Sequence, residues 1–227
     1  MKKIYTILIL FLLSFHTFGQ TNKKSNKKEK DDFIQQVEKI NVLLKQYEAL
    51  SPFSDNENIF DLIDSLSSEI TTRLLKVLND KRILNYQIEN LFTEDELMIS
   101  KSADNKIYFF SIDEKTGGSY RTSKTIIHYR LSNGTVKADF FEDEASQALA
   151  TSTYGEIYLL DSLSQKYFVI GGVQTCNTCR VSLAFTLQLD TNSIIIELIA
   201  LYDGRYYDWG GSGKECFSAP WSIDVGP

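Results

Sequence analysis

Histidine and cysteine are both scarce in this chain, and each shortage excludes something. Three cysteines in 227 residues are too few for a miniprotein that replaces its core with disulfides. His16 and His128 are the only histidines, so one chain cannot build a multi-histidine zinc site. His16 falls in an N-terminal segment that reads as a signal peptide and leaves with it. A Ser-His-Asp or Cys-His constellation would therefore have to use His128, which sits mid-strand in Ile126-Ile127-His128-Tyr129-Arg130. A strand histidine held by a neighbour is the commoner case, and no catalytic role is assigned to it.

Positive charge is short as well. Lys and Arg number 24 against 30 Asp and Glu, a net charge of −6, which argues against a general nucleic-acid binder. Nucleotide motifs are missing too. Gly213-Lys214 fails as a phosphate loop because Asp208 stands where the first glycine belongs and Glu215 where Ser or Thr belongs. Gly211-Ser212-Gly213-Lys214 fails as a nucleophile elbow because Lys214 replaces the last glycine. There is no dinucleotide fingerprint and no calcium loop. No cofactor and no metal ligand set is expected.

What is present suffices for a core. Hydrophobic residues make up 43% of the chain, which rules out disorder as a whole, and the length suits one or two domains. Residues 1–19 read as a cleavable signal peptide: Lys2 and Lys3, then an apolar run from Ile4 to Phe15, then Thr17-Phe18-Gly19 before Gln20. The run is short for a membrane span, no cysteine near the cleavage site could carry a lipid, and no transmembrane segment is expected in the mature chain. The expected location is secreted or periplasmic. Residues 20–30 carry five lysines against Glu29 and no apolar residue, and read as a disordered, lysine-rich tether. Residues 31–227 then hold 17 basic and 29 acidic side chains, a net charge of −12. Such a body repels nucleic acid and anionic lipid and favours basic partners.

Two periodicities follow. Phe33, Val37, Ile40, Leu44 and Tyr47 lie on one helical stripe. Ser51-Pro52 ends it. A second stripe runs through Ile59, Ile63, Leu66, Ile70, Leu74 and Val77, with Asp55 or Asn56 as a cap and Asn79-Asp80 as a stop. A shorter helical piece carries Ile83, Ile88 and Leu91. From about Leu97 the pattern becomes that of strands: Lys106–Ile112, Thr125–Leu131, Thr135–Phe141, Glu156–Leu160, Lys166–Thr175, Arg180–Leu189 and Ser193–Tyr202. Ser132-Asn133-Gly134 is a tight-turn signal between two of them. Ile194 to Leu201 is apolar at nearly every position, which suits a central strand covered on both faces. No striped helices separate the strands, so the sheet is antiparallel. The expected fold is α+β: a helical hairpin over residues 31–95 packed with a β-meander, open-barrel or sandwich-like, over residues 96–227.

Three features stand out as candidate sites. Cys176-Asn177-Thr178-Cys179 falls in a loop between strands. A structural disulfide, a redox pair and a metal clip are its three readings, and an oxidising compartment favours the first. Cys216 is a possible partner for Cys176 or Cys179. The second feature is Tyr202 to Gly211, whose Arg205, Tyr206, Tyr207, Asp208 and Trp209 suit carbohydrate stacking or a protein hot spot. Trp221 belongs to the same cluster. The third is Asp113 to Arg121, a loop with Gly117-Gly118 in which Arg121 can act as a carboxylate clamp. Glu142-Asp143-Glu144 reads as a solvated turn, with a cation seat or glycosidase pair as the sharper alternative.

These readings lead to an exported, non-catalytic binding or interaction protein whose partner is an envelope protein or a glycan. A carboxylate-based hydrolase acting on glycans is the alternative, and a thiol-disulfide protein the third. Intact-mass measurement of the exported protein is expected to give an N-terminus at Gln20. Material that retains residues 1–19 overturns the signal-peptide reading.

Overall fold

The computed structural model describes residues 32–92, 95–116, 118–141, 152–174, 179–205 and 216–217. At 179–180, 198–205 and 216–217 it describes the backbone alone. Residues 1–30, expected from sequence to be a signal peptide and a tether, lie outside the described residues.

Helix α1 spans residues 32–48, and all five residues of its stripe are buried. Helix α2, Ile59–Leu78, buries Ile59, Ile63, Ile70, Leu74 and Val77 on one side, with Leu66 partly buried beside them. It starts slightly after the expected cap, since the Asn56 side chain instead accepts a hydrogen bond from the Asn58 N–H at 3.0 Å. Asn79 stops the helix. Its amide nitrogen donates to Leu75 O at 3.0 Å and to Ala138 O at 2.8 Å. Its oxygen accepts from the Ala138 N–H at 2.9 Å. One side chain thus ends the helix and satisfies both backbone groups of an edge-strand residue. Two 3-10 turns follow, Lys81–Asn85 and Ile88–Asn90. Asp80 caps the first and pairs with Arg82, whose guanidinium holds the Asp80 carboxyl below its ordinary range.

The remaining elements are strands: β1 Leu97–Lys101, β2 Ile107–Asp113, β3 Ser123–Arg130, β4 Val136–Phe140, β5 Thr153–Asp161, β6 Lys166–Gln174, β7 Cys179–Leu189, β8 Ile194–Arg205 and β9 Cys216–Phe217. They form two antiparallel meanders, one ordered β1-β2-β3-β4 and the other β5-β6-β7-β8-β9. The described residues form no closed barrel, so the sandwich form of the expected α+β fold is the one adopted. Between β3 and β4 the Asn-Gly turn occurs as expected. Gly134 has φ of 82°, which costs glycine little, and the Asn133 side chain accepts from the Thr135 N–H at 2.8 Å.

Three layers result. The first sheet lies in the middle, and β2 and β3 are buried along nearly their whole lengths. Successive side chains point to opposite faces. Tyr108, Phe110, Ile112 and Ile126 join the helical stripes in one core. Ile107, Phe109, Ile127 and Tyr129 join Tyr154, Tyr167, Val169, Phe185 and Leu187 of the second sheet in the other. Its centre is aromatic: the Phe109 and Tyr154 rings stack with centroids 4.5 Å apart, and Phe141 meets Phe109 edge-on at 5.2 Å. Each such side chain contributes roughly 1.5–3 kcal/mol by burial.

One expectation is corrected. Strand β8 is not sheltered on both faces, because Ile195 is 47% exposed on the outer side of the second sheet. The strands covered on both faces are β2 and β3. An apolar run alone does not say which sheet will be the middle layer.

His128 is 2% exposed. It lies on the helix-facing side of β3, edge-on to Tyr108 at 5.9 Å and hydrogen-bonded to the Leu78 backbone at the end of α2. Its Nδ1 has no hydrogen-bond partner. Burial lowers its pKa from 6.5 to about 4, against a smaller raising effect from the Leu78 bond. The folded imidazole therefore stays neutral where the unfolded one takes a proton. Stability is full above the unfolded value and falls as pH drops from 6.5 toward about 4. The expected loss from this group is about 3 kcal/mol. Urea unfolding at pH 7 and pH 4 tests this: His128→Leu should lose less stability on acidification than the parent chain. Equal losses overturn the assignment.

Candidate binding cleft

The two sheets pack through the aromatic cluster and part at one end. There the end of β2, the start of β3, the start of β5, the end of β6 and the start of β7 converge around a cleft of about 650 Å³. The sheets touch beside it through one backbone bridge, in which the Arg121 N–H donates to Gln174 O at 2.8 Å.

Paired glycines shape the β6 wall. A Cβ on Gly171 would come within 2.6 Å of the Tyr154 ring and 2.8 Å of Thr153 O. A Cβ on Gly172 would lie 2.8 Å from Val181 O on the neighbouring strand. Neither position has room for a side chain, so the wall is bare backbone there. Met98, Ile170, Val173 and Val181 add apolar surface.

The charged lining is unequal in sign. Among the described residues Asp95, Glu96, Asp113 and Glu156 border the cleft with one cation, Arg121, and Glu156, paired with Ile170 and bonded to the exposed Tyr158, lies toward the outer face of the second sheet. Glu96 is neutralised by Lys115 at 3.2 Å. The Lys115 ammonium also donates to Tyr47 O at 2.7 Å, Leu50 O at 3.0 Å and Glu48 O at 3.3 Å, and sits 4.7 Å from the Tyr47 ring centroid. It thereby serves the open carbonyls at the end of α1. The Tyr47 hydroxyl donates to Asp113 O at 2.7 Å. Burial raises the Tyr47 pKa, and the Asp113 charge adds to the effect. Asp113 accepts the Lys115 N–H at 2.8 Å, and Glu156 accepts from the Tyr158 hydroxyl. None of Asp95, Asp113, Glu156 and Arg121 forms an ion pair with another described residue. No group of three or more His, Cys, Asp or Glu among the described residues is placed to hold a metal ion.

Of the sequence-predicted site residues, Arg121 lies on this cleft. Arg205 ends β8, where its backbone pairs with Cys179 on one side and Cys216 on the other. Cys176, Tyr206, Tyr207, Asp208, Trp209, Trp221 and the Glu142-Asp143-Glu144 run lie outside the described residues. Sequence reasoning missed Asp95, Glu96 and Glu156 as neighbours of Arg121, and it treated Asp113 only as the start of a loop. The one available signal was a carboxylate at the end of a strand or hairpin, and it becomes specific only once the two sheets are superposed.

The chain matches no protein-family model, no curated protein and no solved structure. The class it defines is an α+β protein with a helical layer on a two-sheet sandwich. No helix among the described residues is long and apolar enough to cross a membrane.

The glycine wall makes a directional prediction. Gly172→Ala should cost about 1–3 kcal/mol, because a strand carbonyl must shift to admit the methyl group. Gly155→Ala, with nothing within 4 Å of its Cβ, should change stability by less than about 0.5 kcal/mol. Urea midpoints of the two variants decide it, and equal effects overturn the close-approach account.

Proposed function

We propose that this chain is an exported, non-catalytic binding protein of the cell envelope, and that the cleft between its two sheets receives the ligand. The observation that carries the reading is the cleft itself. Its volume of about 650 Å³ falls in the range of small-ligand sites, and it combines apolar walls with a few convergent polar groups. Arg121 stands at its edge without an ion-pair partner among the described residues, available for a polar group of a ligand. Export rests on the character of residues 1–19, and an envelope partner on that destination.

One observation favours a second reading. Asp113 comes from the first sheet and Glu156 from the second, and both line the cleft. Carboxylates bordering one cleft are the residue type a glycan hydrolase uses. The thiol-disulfide reading rests on Cys176 and Cys179 and has no comparable support.

The test is a thermal-shift and calorimetric screen of the chain from Gln20 against envelope glycan fragments and short peptides, with product analysis by mass spectrometry. A ligand of this cleft should bind without turnover. Arg121→Ala should weaken it about tenfold with the unfolding midpoint unchanged. Cleavage of a glycan that Glu156→Gln abolishes would replace the binding reading with the hydrolase. Binding indifferent to both substitutions would remove the cleft from either.

A further inference from the structure

The second sheet ends in a strand whose outer edge is bare among the described residues. Backbone N–H and C=O groups along a sheet edge invite another strand, and natural chains commonly blunt them. The first sheet follows that habit. Its edge strands β1 and β4 are five residues long, and the Asn79 side chain occupies both backbone groups of Ala138 on β4. Strand β5 differs. It runs for nine residues at the end of its sheet. Near its start Ser100 of β1 bonds to Tyr154 O. From Glu156 to Asp161 no described strand pairs with it on the side away from β6. Its register with β6 is unbroken from Glu156 to Leu159, which leaves a regular stretch between two irregularities.

The side chains along this edge are apolar and open. Tyr158 is 49% exposed, Leu160 58%, and Leu163 in the following turn 94%. Tyr158 stands opposite Phe168 on β6. Ile170, 37% exposed, lies two residues further along β6 on the same outer face. Tyr158, Leu160, Leu163 and Ile170 together leave about 400 Å² of largely apolar surface open, at ordinary side-chain areas.

We propose that this edge pairs with the same edge of a second copy, antiparallel and two-fold symmetric, so that two outer sheets join into one. The register suits a like-with-like contact, because opposed residues in an antiparallel pair share a face. With the two-fold axis at Tyr158, that residue meets Tyr158 of the second copy. Ile157 then meets Leu159, Glu156 meets Leu160, and Asp161 meets Gly155. No like charges are opposed. Area sets the strength. Two such surfaces bury about 800 Å², below the roughly 1,200–2,000 Å² of a stable interface. The bodies also repel, since residues 31–227 carry a net charge of −12. Main-chain bonds to the added strand contribute the remaining attraction. The dimer is therefore weak, dissociates on dilution, and tightens when salt screens the repulsion. Gly155 and Glu156 border the cleft, so the pairing brings the β5–β6 turn of the second copy to the cleft rim.

Sedimentation velocity of the chain from Gln20, over a range of protein concentrations at low and high salt, tests this. Monomer and dimer should be the only species, with more dimer at high salt. Tyr158→Lys sets two like charges against each other and should weaken association about tenfold or more, as should Tyr158→Glu. A mixture of the two variants should associate again, because opposite charges then face each other. Phe53→Lys, at a 78% exposed position in the loop between the helices, should leave the dimer as it was. Urea midpoints of each variant separate lost association from lost folding. A chain that stays monomeric at every concentration and salt overturns the proposal. So do species that grow beyond the dimer, because a two-fold edge closes on itself. Association that survives in both single variants, that the mixture fails to restore, or that Phe53→Lys weakens equally, overturns the assignment to this edge.

Discussion

Everything in this fold depends on the first sheet being buried on both faces. Its central strands, β2 and β3, have hardly a residue open to solvent, so two further layers must exist to cover them. The helices supply one and the second sheet the other. The helical stripes are buried against Tyr108, Phe110 and Ile126, and the inner face of the second sheet against Ile107, Phe109 and Ile127. The layers come in the same order along the chain: helices, middle sheet, outer sheet.

Polar contacts then fix how the layers sit. Asn79 ties α2 to β4 through both backbone groups of Ala138. Lys115 and Tyr47 tie the end of α1 to the loop after β2. On the other side of the middle sheet, the Thr125 hydroxyl donates to Ser152 O at 2.9 Å, and Ser100 bonds to Tyr154 O. These bonds are individually modest. Their effect is on register, because each joins a side chain of one layer to the backbone of another. The Lys115–Tyr47 contact also bears on the cleft. The lysine that completes the helix end neutralises Glu96, and the tyrosine holds the backbone of Asp113. The helical layer therefore helps set the charge of a cleft that it does not line.

The aromatic cluster sets where that cleft opens. Phe109, Phe141, Tyr154 and Phe185 fill the space between the sheets. Tyr154 lies over Gly171 closely enough to forbid a side chain there. Beyond the cluster the sheets remain joined by the Arg121–Gln174 bridge, and the gap between is lined by backbone and carboxylates. Packing and chemistry are in this way adjacent: the glycines that admit the Tyr154 ring leave one wall of the candidate site bare.

Much of the architecture was legible without coordinates. Both helical stripes, the stop at Asn79, the Asn-Gly turn and seven of the strands, to within a few residues, follow from period and turn chemistry, because these are local properties of the backbone. The antiparallel arrangement followed from the lack of crossover helices. The layer order did not. Ile194–Leu201 and Lys106–Ile112 look alike as apolar runs, yet Ile195 faces outward while β2 is enclosed. That difference comes from which sheet meets the helices. The cleft was the least legible feature, because Asp95, Glu156 and the Asp113–Arg121 loop come from three separate stretches of chain. Local sequence determined the elements, since period and turn residues act within a few positions. Only the tertiary structure decided which charges share a space, since that depends on how two independently formed sheets are laid on one another.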